Sequence, residues 1–236
     1  MPALKTPLVP ITVASIYSHQ ALPGRMAKCT PDTAAAIQGI VEDLRGLGHE
    51  LRLSDLFRSY DMQRQANLDY VQGRKKAYSP PPGGSLHEAG RAMDIDLASI
   101  GVPLSQFWEI ARGRGFSPII DSPDPSRSEA WHFDCRGSHD MVYRYVHQGK
   151  AGAAVAPYTQ MAHSAIGAIG VQVDGLPDQG VGFLQGALIR LGFDPGRIDG
   201  VMGPRTAAAM RNAGVDPDDP GGSVSLLLKQ RFASEF

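Results

Sequence analysis

The chain has 236 residues, of which 42% are apolar and 20% charged, enough to build a buried core and unlike the composition of a disordered chain. Its 23 Lys and Arg face 24 Asp and Glu, so nothing points to a nucleic-acid binder held by phosphate contacts. Two cysteines, Cys29 and Cys135, are too few for a disulfide scaffold and are expected as buried free thiols.

At the N-terminus a lone early cation, Lys5, is followed by apolar residues broken by Pro7 and Pro10, with Pro2 ahead of it. No Sec signal is expected there. Helical spacing of Ala36, Ile37, Ile40, Val41 and Leu44 predicts a helix over 33–47, with Asp32 as N-cap and Gly46 and Gly48 closing it. A second helix is expected over 63–72, then a loop over 78–84 around Pro80, Pro81 and Pro82. Residues 92–97 and 130–135 alternate like strands, and 104–114 forms a helix ended by Gly115. Helices interspersed with short strands give an α+β class.

Charge vanishes between Lys150 and Asp174. That shift sets the expected organisation: a first domain over 1–150, a linker over 151–174 with a short helix near 159–169, and a second domain over 175–236. The linker is the nearest approach to a membrane span, but Pro157, Gln160 and His163 interrupt it, so none is expected. In the second domain Phe183, Leu184, Ala187, Leu188 and Leu191 share one helical face, closed by Gly192. A turn-rich run follows over 193–200; Pro204 opens the next helix, and a third covers 223–232.

Chemistry concentrates in Ser85-Leu86-His87-Glu88-Ala89-Gly90-Arg91-Ala92-Met93-Asp94 and in Glu129-Ala130-Trp131-His132-Phe133-Asp134. Two imidazoles and a carboxylate are a common ligand set for catalytic zinc, with a fourth position left for water. Glu129, close to His132, is the candidate base for that water. On an ideal strand positions three apart face opposite sides, so this pairing needs a bulge or a strand start. The His-Glu-x-x-His motif fails because position 91 is Arg, no Pro-Cys-x-x-Cys element exists, and no Gly-x-Ser-x-Gly elbow appears. Asp96 could orient a histidine from the same strand face, and Glu88 is a further carboxylate nearby.

The Ser-x-His-x-x-Gly-x-Ala-x-Asp string and the Glu-x-Trp-His string resemble the VanY-like family of zinc peptidases, which includes D-Ala-D-Ala carboxypeptidases and L-alanyl-D-glutamate endopeptidases. Phe57-Arg58-Ser59-Tyr60 with Gln63 resembles that family's upstream Tyr-Arg-Ser-x-x-x-Gln element, with Phe in place of Tyr. The resemblance covers about residues 35–140. It implies a hedgehog/D,D-peptidase fold, Zn2+ held by His87, Asp94 and His132, Glu129 as general base, Arg58 as the cation near the scissile carbonyl, and Arg58 and Ser85 as substrate-binding residues. Leu184-Gln185, Leu191-Gly192-Phe193, Ile198-Asp199-Gly200, Gly203 and Thr206 resemble the peptidoglycan-binding-like three-helix module.

Together the two resemblances imply a monomeric zinc peptidase that cuts an amide of the bacterial peptidoglycan stem peptide or cross-link, tethered to a wall-binding domain. A wall enzyme without a Sec signal fits the phage endolysin type, made in the cytoplasm and acting on the wall after release. The alternatives are a D,D-carboxypeptidase that trims stems and a non-catalytic wall-binding protein.

Overall fold

The computed structural model describes residues 5–17 and 20–236, so Pro2, which entered the N-terminal reading, lies outside the described residues. The chain divides into two units: residues 8–81 with 85–137, and residues 5–7 and 82–84 with 138–236.

The first unit runs β1 (Val9–Pro10), β2 (Ala14–Ser15), β3 (Lys28–Cys29), α1 (Pro31–Gly46), β4 (Arg52–Asp55), α2 (Tyr60–Val71), a 3₁₀ turn (Leu86–Ala89), β5 (Ala92–Ile95), α3 (Leu104–Gly113), β6 (Ser117–Pro118) and β7 (His132–Asp134). Strands β2-β4-β5-β7-β6 form one sheet, and β1 pairs with β3 apart from it. The α+β class expected from the sequence is therefore the observed one. Pairing of β5 with β7 is antiparallel and sets Asp94 opposite His132. A bulge between β4 and β5 sets Asp55 opposite Asp94.

The core of this unit joins Ile37, Ile40 and Leu44 of α1 to Leu53, Met93 and Ile95 of the sheet and to Phe107 of α3. Phe107 meets Phe133 edge to face at 5.0 Å. The start of α1 differs from expectation. Thr30 holds the cap position and Pro31 opens the helix, a place where the missing N–H of proline costs nothing. Asp32 is thereby drawn into the first turn, where it binds the guanidinium of Arg91. Arg91 is 1% exposed and also donates to the Thr30 hydroxyl and the Cys135 carbonyl, both at 2.9 Å. Both cysteines are buried and outside any disulfide, and burial, helped by Cys135 and Asp32, pushes the Cys29 thiol up to about 12.

The second unit holds α4 (Asp140–His147), α5 (Pro157–Ala168), α6 (Gln179–Arg190), α7 (Pro204–Ala213), α8 (Pro220–Arg231) and a closing 3₁₀ turn (Ala233–Glu235). Helix α6 packs against α4, α5, α7 and α8. The structure thus draws the division at Gly137, whereas the sequence pattern put it at Lys150 and read 151–174 as a linker. Met161, Ala162, Ala165 and Ile166 of α5 are buried. The lack of charge in that stretch reflects packing as well as connection.

A glycine is required at position 200. Its φ is +69°, and a Cβ there would lie 2.8 Å from the Asp178 carbonyl. The amide N–H groups of Asp199 and Gly200 both donate to Gln185 Oε1 at 3.0 Å, which pins this turn to α6. Glu235 accepts from the buried Arg190 and, at 2.8 Å, from the Ser138 N–H. No helix among the described residues is long and apolar enough to cross a membrane.

Candidate metal centre

His87 sits in the 3₁₀ turn Leu86–Ala89. Ser85 caps this turn: its hydroxyl accepts from the His87 N–H at 3.3 Å, while Glu88 reaches back to the Ser85 N–H at 3.3 Å. Gly90 then ends the turn at φ +63°, where a Cβ would strike the Cys29 backbone at 2.8 Å. The chain reverses straight into β5, which carries Asp94, and β7 brings in His132 from the neighbouring strand.

The three side chains meet. His87 Nε2 lies 3.2 Å from Asp94 Oδ1, His132 Nδ1 lies 2.9 Å from the same oxygen, and the two ring nitrogens are 3.3 Å apart. The opposite ring edges are fixed by groups that accept. His87 Nδ1 donates to the Leu56 carbonyl at 2.8 Å, and His132 Nε2 donates to Asp134 Oδ1 at 2.9 Å. With those protons held outside, each neutral ring turns a lone pair inward, toward a carboxylate oxygen. Three acceptors facing one point require positive charge between them.

A proton supplies part of that charge. Burial disfavours a charged His132 ring, yet the hydrogen bonds and charges of Asp134 and Asp94 outweigh it and raise its pKa to about 10. For Asp94, burial acts upward, but His87 and then His132 hold the carboxyl well below the usual carboxylate range. A divalent ion supplies the charge more fully. Four ligands at about 2.0–2.1 Å in a tetrahedron are separated by about 3.3–3.4 Å, close to the spacings seen here. Two imidazoles and one carboxylate leave the fourth corner open, the donor set of a catalytic zinc site. The residues present therefore fit zinc.

Arg58 and Glu129 flank this centre. Arg58 is 8% exposed and donates from Nε to Asp55 at 2.5 Å, from Nη1 to Gln63 at 3.2 Å and from Nη2 to Asp94 Oδ2 at 3.3 Å. It thereby separates two carboxylates that the β4–β5 register sets opposite each other. Three of its five N–H groups are thus engaged, one of them on the ligand carboxylate of Asp94.

Glu129 lies in the turn before β7, and its N-terminal position resolves the strand-face problem raised by the sequence. Among the described residues it is the one non-glycine with positive φ, at 67°. That left-handed turn takes the side chain off the strand alternation. Its Oε1 is buried with no hydrogen-bond partner. Burial raises its pKa, against the pull of His132, Lys75 and Arg58 and with some help from Asp94.

Some expectations find different partners. Ser85, expected to bind substrate, is buried, with its hydroxyl turned to the His87 N–H. Asp96 lies beyond the end of β5 and accepts from the Ala98 N–H at 3.2 Å; the carboxylate that orients His132 is Asp134. Glu88 is engaged in the cap. Asp134 could have been found in the sequence, because it stands two residues after His132 and so on the same strand face. Nothing in the sequence marks the Leu56 carbonyl.

Residues 26–112 match a family described as D-alanyl-D-alanine carboxypeptidase (VanY), and residues 170–213 match a putative peptidoglycan binding domain. The first match includes Arg58, His87 and Asp94 and ends before Glu129 and His132. No curated protein matches the chain. Similar solved structures include the LdcB LD-carboxypeptidase, at 21% identity and TM-score 0.42 over 54% of this chain and 66% of that one. DacB from Streptococcus pneumoniae D39 is 24% identical with TM-score 0.36, over 45% of this chain and 65% of that one. A vancomycin-resistance D,D-pentapeptidase VanY variant in complex with Zn(II) is 16% identical with TM-score 0.37, over 63% and 93%. The chain spans just under two thirds of the length of the LdcB and DacB structures.

Proposed function

We propose that this chain, in which a VanY-type domain is joined to a peptidoglycan-binding domain, is a zinc-dependent peptidase that hydrolyses an amide of the peptidoglycan stem peptide or cross-link. The observation that carries the reading is the inward convergence of His87 Nε2, His132 Nδ1 and Asp94 Oδ1 beside a buried Glu129 oxygen that nothing else engages. Zinc held by these three residues would supply a Lewis acid and lower the pKa of a coordinated water toward about 7.

The chain's own residues do the rest. Glu129 accepts the proton of the attacking water at Oε1 and delivers it to the leaving amine, a role suited to a carboxyl whose pKa burial has raised. Arg58 holds Asp94 in place through Nη2, and its charge favours the oxyanion that develops on the scissile carbonyl. Leu56 and Asp134 keep the histidine lone pairs aimed inward.

In this reading the enzyme acts as a monomeric endopeptidase on the bacterial wall after release from the cytoplasm, and the second unit keeps it on the polymer. Carboxypeptidase trimming is the second reading, favoured by the family description matched over residues 26–112. Digestion of purified sacculi and muropeptides, with products weighed by mass spectrometry, separates the two, because an endopeptidase releases a peptide fragment and a carboxypeptidase a single residue. Hydrolysis should stop when zinc is chelated and return when it is restored. Full activity in chelator from protein with no bound metal would overturn the zinc reading.

A further inference from the structure

The second unit contains a cleft of about 460 Å3, a volume in the range of ligand sites, between α5, the stretch 174–177 and the turn 197–201. Its walls are tied to each other. Gln160 of α5 is 6% exposed; its Oε1 accepts from the Ile198 N–H at 2.6 Å, and its Nε2 donates to the Ile198 carbonyl at 3.0 Å. Gln185 of α6 holds the far end of the same turn through the Asp199 and Gly200 N–H groups. The cleft is therefore built into the fold.

Thr159 and His163 line it from α5, one helical turn apart and so on one helix face. Both are half-buried, and among the described residues neither side chain has a hydrogen-bond partner. Burial lowers the pKa of His163, so its ring is neutral, with one donor and one acceptor nitrogen. Polar groups withdrawn from water without a partner are unfavourable, and a ligand that pairs with them would offset that cost. The other walls supply apolar surface from Val155, Leu176 and Val201, and the ion pair of Arg197 with Asp199 at 3.1 Å.

Helix α5 lies ahead of residues 170–213, which match the peptidoglycan binding domain, whereas Leu176, Arg197 and Val201 lie inside that match. The cleft thus adds two hydrogen-bonding side chains of this chain's own to the matched module. Neutral donors and acceptors beside small apolar surfaces suit a peptide backbone with short side chains. No Phe, Tyr or Trp, the usual platform for a sugar ring, is among the lining residues. We propose that this cleft binds the stem peptide of the wall polymer rather than its glycan, with Thr159 and His163 pairing with peptide amides and Leu176 and Val201 packing on alanine methyls. The inference rests on the tethering role of the second unit and deepens it: the unit holds to wall that still carries its stems and lets go of bare glycan.

The test uses the full, zinc-loaded chain with Glu129→Gln, which should bind without cleaving, and measures its co-sedimentation with purified sacculi. Thr159→Val keeps the shape and removes one hydrogen bond, so the dissociation constant should rise about fivefold. Ala156→Trp, at an exposed position on the cleft, should raise it further by filling the space. On sacculi stripped of their stems by an amidase, the parent and both variants should bind equally weakly. With Glu129 intact, both variants should cleave soluble muropeptides at the parent kcat and KM, which separates the cleft from the metal centre, and unchanged melting temperatures would show the fold kept. Retention of both variants equal to the parent on intact sacculi, or strong retention of the parent on stripped sacculi, would overturn the proposal and leave the tethering role standing. No retention of the parent on intact sacculi would overturn both, while cleavage of soluble muropeptides judges the peptidase reading separately.

Discussion

At Glu129 two costs fall on one residue: a left-handed backbone, worth about 1 kcal/mol for a residue with a Cβ, and a buried carboxylate oxygen with no hydrogen-bond partner. A side chain present only for the fold would be expected to shed both. Glu129→Gln keeps shape and backbone but cannot take a proton, so turnover should fall about 10²–10⁴-fold while zinc content stays at one per chain. A rate near that of the unaltered chain would remove Glu129 from the mechanism. The pH profile gives a second check. A base works only when ionised, and burial raises the pKa of Glu129, so activity should be lost on acidification at a pH above the ordinary glutamate value of 4.5. The acid limb of kcat/KM, measured from pH 4 to 8, should lie there, and a limb at or below 4.5 would count against the assignment. By contrast, His132→Ala removes a ligand, so metal analysis should find zinc lost along with activity.

At the scale of elements, the site is a product of register. The pairing of β5 with β7 sets Asp94 beside His132, and the period of two in β7 sets Asp134 on the same face as His132. Asp134→Asn keeps an acceptor for the His132 N–H but removes its charge, so zinc affinity should drop about 10–100-fold with the circular dichroism spectrum unchanged. Competition with a chromophoric chelator measures it, and unchanged affinity would show that the Asp134 charge does not tune the ring. The strands bearing His132 and Asp94 were legible because their alternation is strong, and α1 and α3 because their apolar spacing is. The two-residue strands β1, β2, β3 and β6 are too short to leave a periodic signal. The αL backbone of Glu129 was hidden for another reason: the sequence required a bulge or a strand start there, but nothing local distinguishes a glutamate in that conformation from one in a strand. Asp32 and Asp96 were misplaced because an aspartate at a helix or strand end satisfies several local patterns equally well; a distant partner, Arg91, decides the first, and a local one, the Ala98 N–H two residues on, the second.

Over the whole molecule, the division at Gly137 specifies how the contribution of the second unit is to be measured. A chain ending at Gly137 should retain the zinc-ligand cluster and cleave soluble muropeptides, but clear intact sacculi more slowly, because tethering to a polymer raises the local substrate concentration. Equal clearance rates, followed by turbidity, would remove any targeting role. A cut at Lys150 is a poorer choice, since it leaves α4 behind and strips it of α5 and α6. The second unit also includes two pieces that come from far upstream. The Thr6 N–H donates to the Ala168 carbonyl at 2.9 Å, and residues 82–84 belong with it, where a Cβ on Gly83 would meet Val173 at 3.4 Å. The next residue after that insertion is Ser85, the cap of the turn that carries His87. Recombination that exchanged everything after residue 137 for an unrelated module would therefore orphan both upstream pieces, one of them covalently adjacent to a zinc ligand's own turn. Lineages carrying this arrangement should swap their wall-binding halves less freely than bead-on-string enzymes do, and inherit the two halves as a pair.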